Sequence, residues 1–144
     1  MTKINPTVTF FLNLGRAQTI LAERFDRGLG GLGFNEFLIL YHLEQAEAGK
    51  LRRVDLAKKI GLTASGVTRL LLPMEKIGLI KSGPPSDDAR VRFVIMSNSG
   101  RQKMLEAVER LELLGEDLIP SSKNKNLGQL SELLLEISGR ALMG

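Results

Sequence analysis

Cysteine is absent from the 144 residues, and so is tryptophan. Without cysteine there are no disulfides, no thiolate metal sites and no thiol redox sensing, and the chain fits a reducing cytosol. There is one histidine, His42. A histidine-rich metal centre or a Ser-His-Asp triad would have to be assembled around that single imidazole. No paired carboxylates surround a recognisable cleft, so the sequence offers no enzyme, no metal ligand set and no cofactor motif. No apolar run approaches the roughly 20 residues of a membrane span. Met1-Thr2-Lys3-Ile4-Asn5-Pro6 lacks a basic stretch leading into a long apolar core, so no signal peptide is expected. The expected location is cytoplasmic.

Hydrophobic residues make up 43% of the chain and charged residues 25%, the balance of an ordinary globular protein. The formal charge is +4, unevenly distributed. Lys50 to Arg92 holds ten basic against four acidic residues, a net of +6, while the two flanks together are at −2. A basic middle between mildly acidic ends suggests that one part of the molecule meets a polyanion.

Asn5-Pro6 reads as a helix start. Apolar residues from Val8 to Phe25 recur mostly at helical spacing. The four glycines of Gly28-Leu29-Gly30-Gly31-Leu32-Gly33 end that helix. The cluster lacks the preceding strand and following Lys-Ser/Thr of a phosphate loop, so it reads as an interhelical turn. A second helix is expected from Asn35, burying Phe37, Leu38, Leu40, Tyr41 and Leu43. Leu51-Arg52-Arg53 reads as a minor strand. Val54–Ile60 makes a short helix, Gly61-Leu62-Thr63 breaks it, and Thr63 caps a further helix from Ala64 to about Ile77. Two short helices joined by a tight glycine-containing turn form a helix-turn-helix. Leu79–Ser82 and Arg90–Met96 read as strands on either side of the turn-rich Gly83-Pro84-Pro85-Ser86-Asp87-Asp88-Ala89, which makes a wing. Ser97 can cap a long helix, and a last helix follows Pro120-Ser121-Ser122.

The expected fold is mostly α: a winged helix-turn-helix, with a three-helical core and a small β-hairpin wing. It carries N- and C-terminal dimerisation helices. Residues 1–34 form the N-terminal part of the dimerisation region, 35–97 the winged helix and 98–144 the C-terminal dimerisation helices. The leucine-rich stripes of the terminal helices exceed what so small a core can cover. Apolar stripes of this kind mark an interface, and a two-fold homodimer is the simplest closure.

Val54-Asp55-Leu56-Ala57-Lys58-Lys59-Ile60-Gly61-Leu62-Thr63, then Ser65-Gly66-Val67-Thr68-Arg69-Leu70, then Met74-Glu75-Lys76-Ile77-Gly78-Leu79-Ile80 resembles the MarR-type transcriptional regulators. Asp87-Asp88-Ala89-Arg90 and the strand after it extend the match, which is specific from about Leu51 to Gly100. The resemblance implies a dimeric bacterial winged-helix regulator, with repression as the expected sign. It also implies a small aromatic or phenolic effector bound between the dimerisation and DNA-binding regions. Three features depart from the pattern: Pro73 inside the recognition helix, Gly66 in its first turns, and a Ser97-Asn98-Ser99-Gly100 cap without an acid. The lack of cysteine excludes the family's peroxide-sensing branch.

A recognition helix enters the major groove of double-stranded DNA by its first turns, here Thr63, Ala64, Ser65, Thr68 and Arg69. Arg69 can donate two bonds to a guanine edge, or stand as a solvated helix charge. Ser65 and Thr68 can reach bases or phosphates, and Ala64 a thymine methyl. Arg52, Arg53, Lys58 and Lys81 are candidates for phosphate neutralisation; Arg92 is a further DNA-binding candidate in the wing and, with Arg90, a partner for Asp88. By resemblance, Arg90 enters the minor groove and Asp88 orients it; Asp88 otherwise reads as an ordinary acidic turn. A dimer places two such helices about 34 Å apart and implies a pseudo-palindromic site. The candidate effector pocket lies near Phe11, Phe37, Tyr41, His42 and Met104, aromatic residues that read equally as core. The competing function is a winged-helix module for protein interaction, without specific DNA binding.

Overall fold

The computed structural model describes residues 2–83 and 92–144. Among these, helix α1 spans Pro6–Gly28 and α2 Phe34–Gln45, followed by strand β1, Lys50–Arg52. Helices α3 (Arg53–Ile60) and α4 (Ala64–Lys76) come next, then strands β2 (Ile80–Ser82) and β3 (Phe93–Met96). Helix α5 (Asn98–Leu118) and helix α6 (Leu127–Met143) complete the order. The chain divides into two compact units, Met1–Leu111 and Glu112–Gly144.

Helix starts follow local chemistry. The Asn5 side chain accepts the Thr7 N–H at 2.7 Å, and Pro6 occupies the first turn of α1. The start of α2 differs from the expectation: its cap is Gly33, not Asn35. Glu36 accepts the Gly33 N–H and Asp26 the Phe34 N–H, both at 2.8 Å, so two acids satisfy donors that the helix leaves free. Tyr41, expected inside, is 40% exposed, and Ile39 takes the buried place with Phe37, Leu40 and Leu43.

Strands β1, β3 and β2 lie in that order in one antiparallel sheet. Lys50 stands opposite Ile95 and Arg52 opposite Phe93 on one side of β3; Lys81 stands opposite Ile95 on the other. Val94 and Ile80 turn to the core with Leu56, Val67, Leu71 and Met74, all buried.

The end of α4 is tied to the start of α5. Gly78, at φ +83°, donates to the Glu75 carbonyl at 3.0 Å, and the Leu79 N–H reaches Met74 at 2.9 Å. These two bonds form a Schellman motif, with Met74 and Leu79 both buried beneath it. The Ser97 hydroxyl donates to the Gly78 carbonyl and accepts the Gly100 N–H. Gly100 is buried, and a Cβ there would collide with the Leu79 carbonyl oxygen. Gly100→Ala is therefore expected to lower stability by about 1–3 kcal/mol through overpacking. Helix propensity alone predicts the opposite sign, a gain of about 1 kcal/mol. Urea unfolding should read a lower midpoint at unchanged slope; an unchanged or raised midpoint would show that α5 can move off Leu79.

Candidate nucleic-acid interface

The α3–α4 turn is set by backbone geometry. Gly61 takes the left-handed conformation at φ +73°, and the Leu62 N–H returns to Ala57 at 3.0 Å. Thr63 follows as the cap of α4, its hydroxyl accepting the Gly66 N–H at 3.0 Å. A Cβ at Gly66 would meet that hydroxyl at 3.1 Å, so glycine leaves the cap room. The Ser65 hydroxyl stands 3.3 Å from the same oxygen.

Helix α4 is sharply two-sided. Val67, Leu71 and Met74 are buried, and Leu70 is half-buried. Thr63, Ala64, Ser65 and Arg69 are exposed and Thr68 is half-buried, so the five residues expected to read bases share one accessible end. Ile77, the expected end of this helix, stands just beyond it as its C-cap and is 66% exposed. The helix runs unbroken through Pro73 to Lys76.

The sheet gathers the other cations. Residues opposite one another share a face and alternate residues change face. Lys50, Arg52 and Lys81 therefore lie on the outer face, around Phe93 and Ile95, while Leu51, Val94, Ile80 and Met96 turn inward. The Lys50 ammonium sits 4.9 Å from the centre of the Phe93 ring. Lys50 opens the basic segment but precedes the expected strand Leu51–Arg53; the Lys50-Leu51-Arg52 alternation is the sequence signal for its place on the sheet. Arg53 opens α3 half-buried and gives its N–H to the Arg92 carbonyl at 3.0 Å. Arg92 and Lys58 are exposed. Asp88 and Arg90, and with them the expected minor-groove contact, lie outside the described residues.

Arg52 is not a free cation. Its Nε donates to one oxygen of Asp55 at 2.8 Å and its Nη2 to the other at 3.2 Å. The hydrogen bond from Arg52 holds the Asp55 carboxyl below the usual carboxylate range, and the same bond raises Arg52.

Of the five residues named for an effector, three stand next to one another. Phe37, Tyr41 and His42 belong to an aromatic ladder with centroid separations of 6.4 and 5.3 Å, which continues through Phe34 to Phe25. Phe37 and Met104 are buried, whereas Phe11 is 50% exposed and pairs with Phe10. A cavity of 230 Å³ lies among Ala22, Asp26, Gly33, Phe34, Asn35, Glu36 and Leu70. Among the described residues no group of three or more His, Cys, Asp or Glu side chains could hold a metal ion. No helix among them is long and apolar enough to cross a membrane.

A helix-turn-helix whose second helix is exposed along its leading end, flanked by the strands of a three-stranded antiparallel sheet, is a winged helix. Residues 34–91, which hold the helix-turn-helix, match the model of the MarR family. The chain is similar to the transcriptional regulator BldR of Sulfolobus solfataricus, with 28% identity and a TM-score of 0.82 over 97% of this chain and 99% of that one. It is similar to the M. tuberculosis regulator MOSR, solved in complex with DNA, with 25% identity and a TM-score of 0.67 over 85% and 96%. It also shares its fold with NadR, solved with 4-hydroxyphenylacetate, at 24% identity and a TM-score of 0.70 over 96% and 98%. No curated protein is similar enough in sequence to match.

Burial lowers the pKa of His42 from its ordinary 6.5, and the nearby Lys59 charge lowers it further. The folded chain then holds that proton less tightly than the unfolded chain, so stability is full above pH 6.5 and falls as pH drops below it. His42→Gln should flatten this dependence. Urea midpoints at about pH 8 and about pH 5.5 test it; equal midpoint shifts in the two proteins would contradict it.

Proposed function

We propose that the protein is a sequence-specific, DNA-binding transcriptional regulator that acts as a homodimer on a pseudo-palindromic operator. The observation that carries the reading is the two-sidedness of α4: apolar residues seat it on the core, and Ser65, Thr68 and Arg69 stand on the accessible side of its leading end. Arg69 donates to a guanine edge in the major groove. Lys81, Lys58, Arg53 and Arg92 serve the phosphate backbone, which supplies affinity and salt dependence without sequence choice. DNA binding by MOSR supports this reading. A winged helix used only for protein contacts would have no need of the cations spread over α3, α4 and the sheet.

The dimer rests on unburied apolar surface. Helices α1 and α6 contain no buried residue. Val8, Phe11 and Leu12 on α1, and Leu130, Leu133 and Leu134 on α6, are each between 43% and 60% exposed. Patches of this kind rarely stay in water. Two-fold pairing buries them and sets the two recognition helices one DNA turn apart.

Repression is the expected sign of regulation, by occlusion of the bound site. The complex of NadR with 4-hydroxyphenylacetate supports an aromatic or phenolic effector. Such a ligand would first meet Tyr41 and His42, because Phe37 and Met104 are covered. It acts only by binding one spacing of the recognition helices better than another.

Selection of genomic fragments by the purified protein should return a two-fold symmetric consensus. At that site and fixed salt, Arg69→Ala should cost about 1–3 kcal/mol and relax preference at one base pair in each half. Equal affinities would remove Arg69 from base reading. Leu130→Glu with Leu134→Glu should convert a species of two 15.8 kDa chains into one and weaken operator binding, as read by sedimentation and titration. A wild type that sediments as a single chain would refute the dimer.

A further inference from the structure

Resting on the DNA-binding reading above, we propose that Asp55 is a positioning residue. It holds Arg52 in an internal ion pair, and so limits the pull of the winged helix on DNA of any sequence. From Lys50 to Met74 the chain has six basic residues and a single acid, Asp55. That acid is not spent on its helix. Asp55 is the third residue of α3, the place that Glu36 occupies in α2. Glu36 turns back and accepts the N–H of its cap, Gly33. Asp55 instead gives both oxygens to the guanidinium of Arg52, the residue at the cap of α3, whose side chain makes no cap bond.

The pair is exposed, with side-chain accessibilities of 48% for Arg52 and 32% for Asp55, so it adds little to folding. Its effect falls on what Arg52 can offer outside. A guanidinium has five N–H donors, and Asp55 takes two of them. The remaining edge can still hydrogen-bond a phosphate. The charge, however, is already balanced, so that contact releases no net counterion. Arg52 in this state helps register the protein on the backbone and adds nothing to salt-dependent attraction. Non-specific affinity is thereby kept low, while the residues of α4 retain their role in choosing sequence.

The test is a double-mutant cycle on the full-length protein. Binding to a duplex of arbitrary sequence is measured between about 50 and about 200 mM salt for wild type, Asp55→Asn, Arg52→Ala and the double variant. Asp55→Asn should bind more tightly at low salt, with a slope of log affinity against log salt steeper by about 0.9. Across that salt range it should lose about threefold more affinity than wild type. Arg52→Ala alone uncovers the Asp55 charge and should not steepen the slope or tighten binding, and in the Asp55→Asn background it should abolish the gain. Weaker binding or an unchanged slope in Asp55→Asn overturns the proposal. So does a gain that survives removal of Arg52, which would be a general charge effect. A wild type that binds no duplex even at low salt overturns the DNA-binding reading, and the pair with it.

Discussion

The seating of α4 is the constraint on which the rest depends. A helix of 13 residues can present one face outward only if the other is fixed in rotation and at both ends. Val67, Leu71 and Met74 fix the rotation because they recur at helical spacing and are completely or almost completely buried. The Thr63 hydroxyl fixes the leading end by taking the Gly66 N–H, and the Gly78–Glu75 and Leu79–Met74 bonds fix the trailing end. Rotating the helix by one residue would bring Thr68, Leu72 and Glu75 to the core in one sense, or Gly66, Leu70 and Pro73 in the other, and carry Val67, Leu71 and Met74 away from it. The direction of the reading residues is therefore a consequence of core packing, not of any interaction among themselves.

The sheet adds a second layer of control. Its inner face closes the core with Val94 and Ile80, and the same alternation leaves Lys50, Arg52 and Lys81 outside. Helix α5 begins where the sheet ends, and Ser97 joins them by serving both the Gly78 carbonyl and the Gly100 N–H. The Arg101–Glu44 pair at 3.2 Å ties α5 to α2 as well. The long helix and the recognition helix thus share a junction of a few atoms around Leu79. A tilt of α5 that breaks this junction strains the end of α4, so the two helices cannot be displaced independently of one another.

The order of elements was legible in the sequence because each boundary carries its own chemistry. Asn5-Pro6, Thr63, Gly78 and Ser97 act in the fold as caps and stops of the expected type. The start of α2 was not legible, because its cap is made by Asp26 and Glu36 reaching a glycine's neighbourhood, and Asp26 comes from eight residues upstream of Phe34. Tyr41 fitted an apolar period yet lies at the rim, since Ile39 fills the buried row. The cations were visible as a count but not as a surface. Their grouping depends on strand register, which pairs Lys50 and Lys81 with the same Ile95 across 31 positions of sequence. The Arg52–Asp55 pair is local, but sequence does not reveal that the acid turns toward the side chain of its cap instead of the backbone.

Pro73 shows how position decides the weight of a rule. Proline in a helix interior removes the N–H that would bond the carbonyl four residues earlier, that of Arg69. In α4 it stands on the exposed side, and the helix continues through it, with the Ile77 N–H accepted by the Pro73 carbonyl at 3.1 Å. The deleted bond lies past the first turns, so the cap at Thr63 and the bonds around Ser65 do not depend on it. Its neighbours Leu71 and Met74 remain buried, and they hold the second half of the helix against the core where the missing hydrogen bond no longer does. Side-chain packing here takes over a task that the backbone performs elsewhere in the helix. The bond that Pro73 deletes therefore lies behind the accessible leading end, where Thr63 takes the N–H groups of Gly66 and Val67.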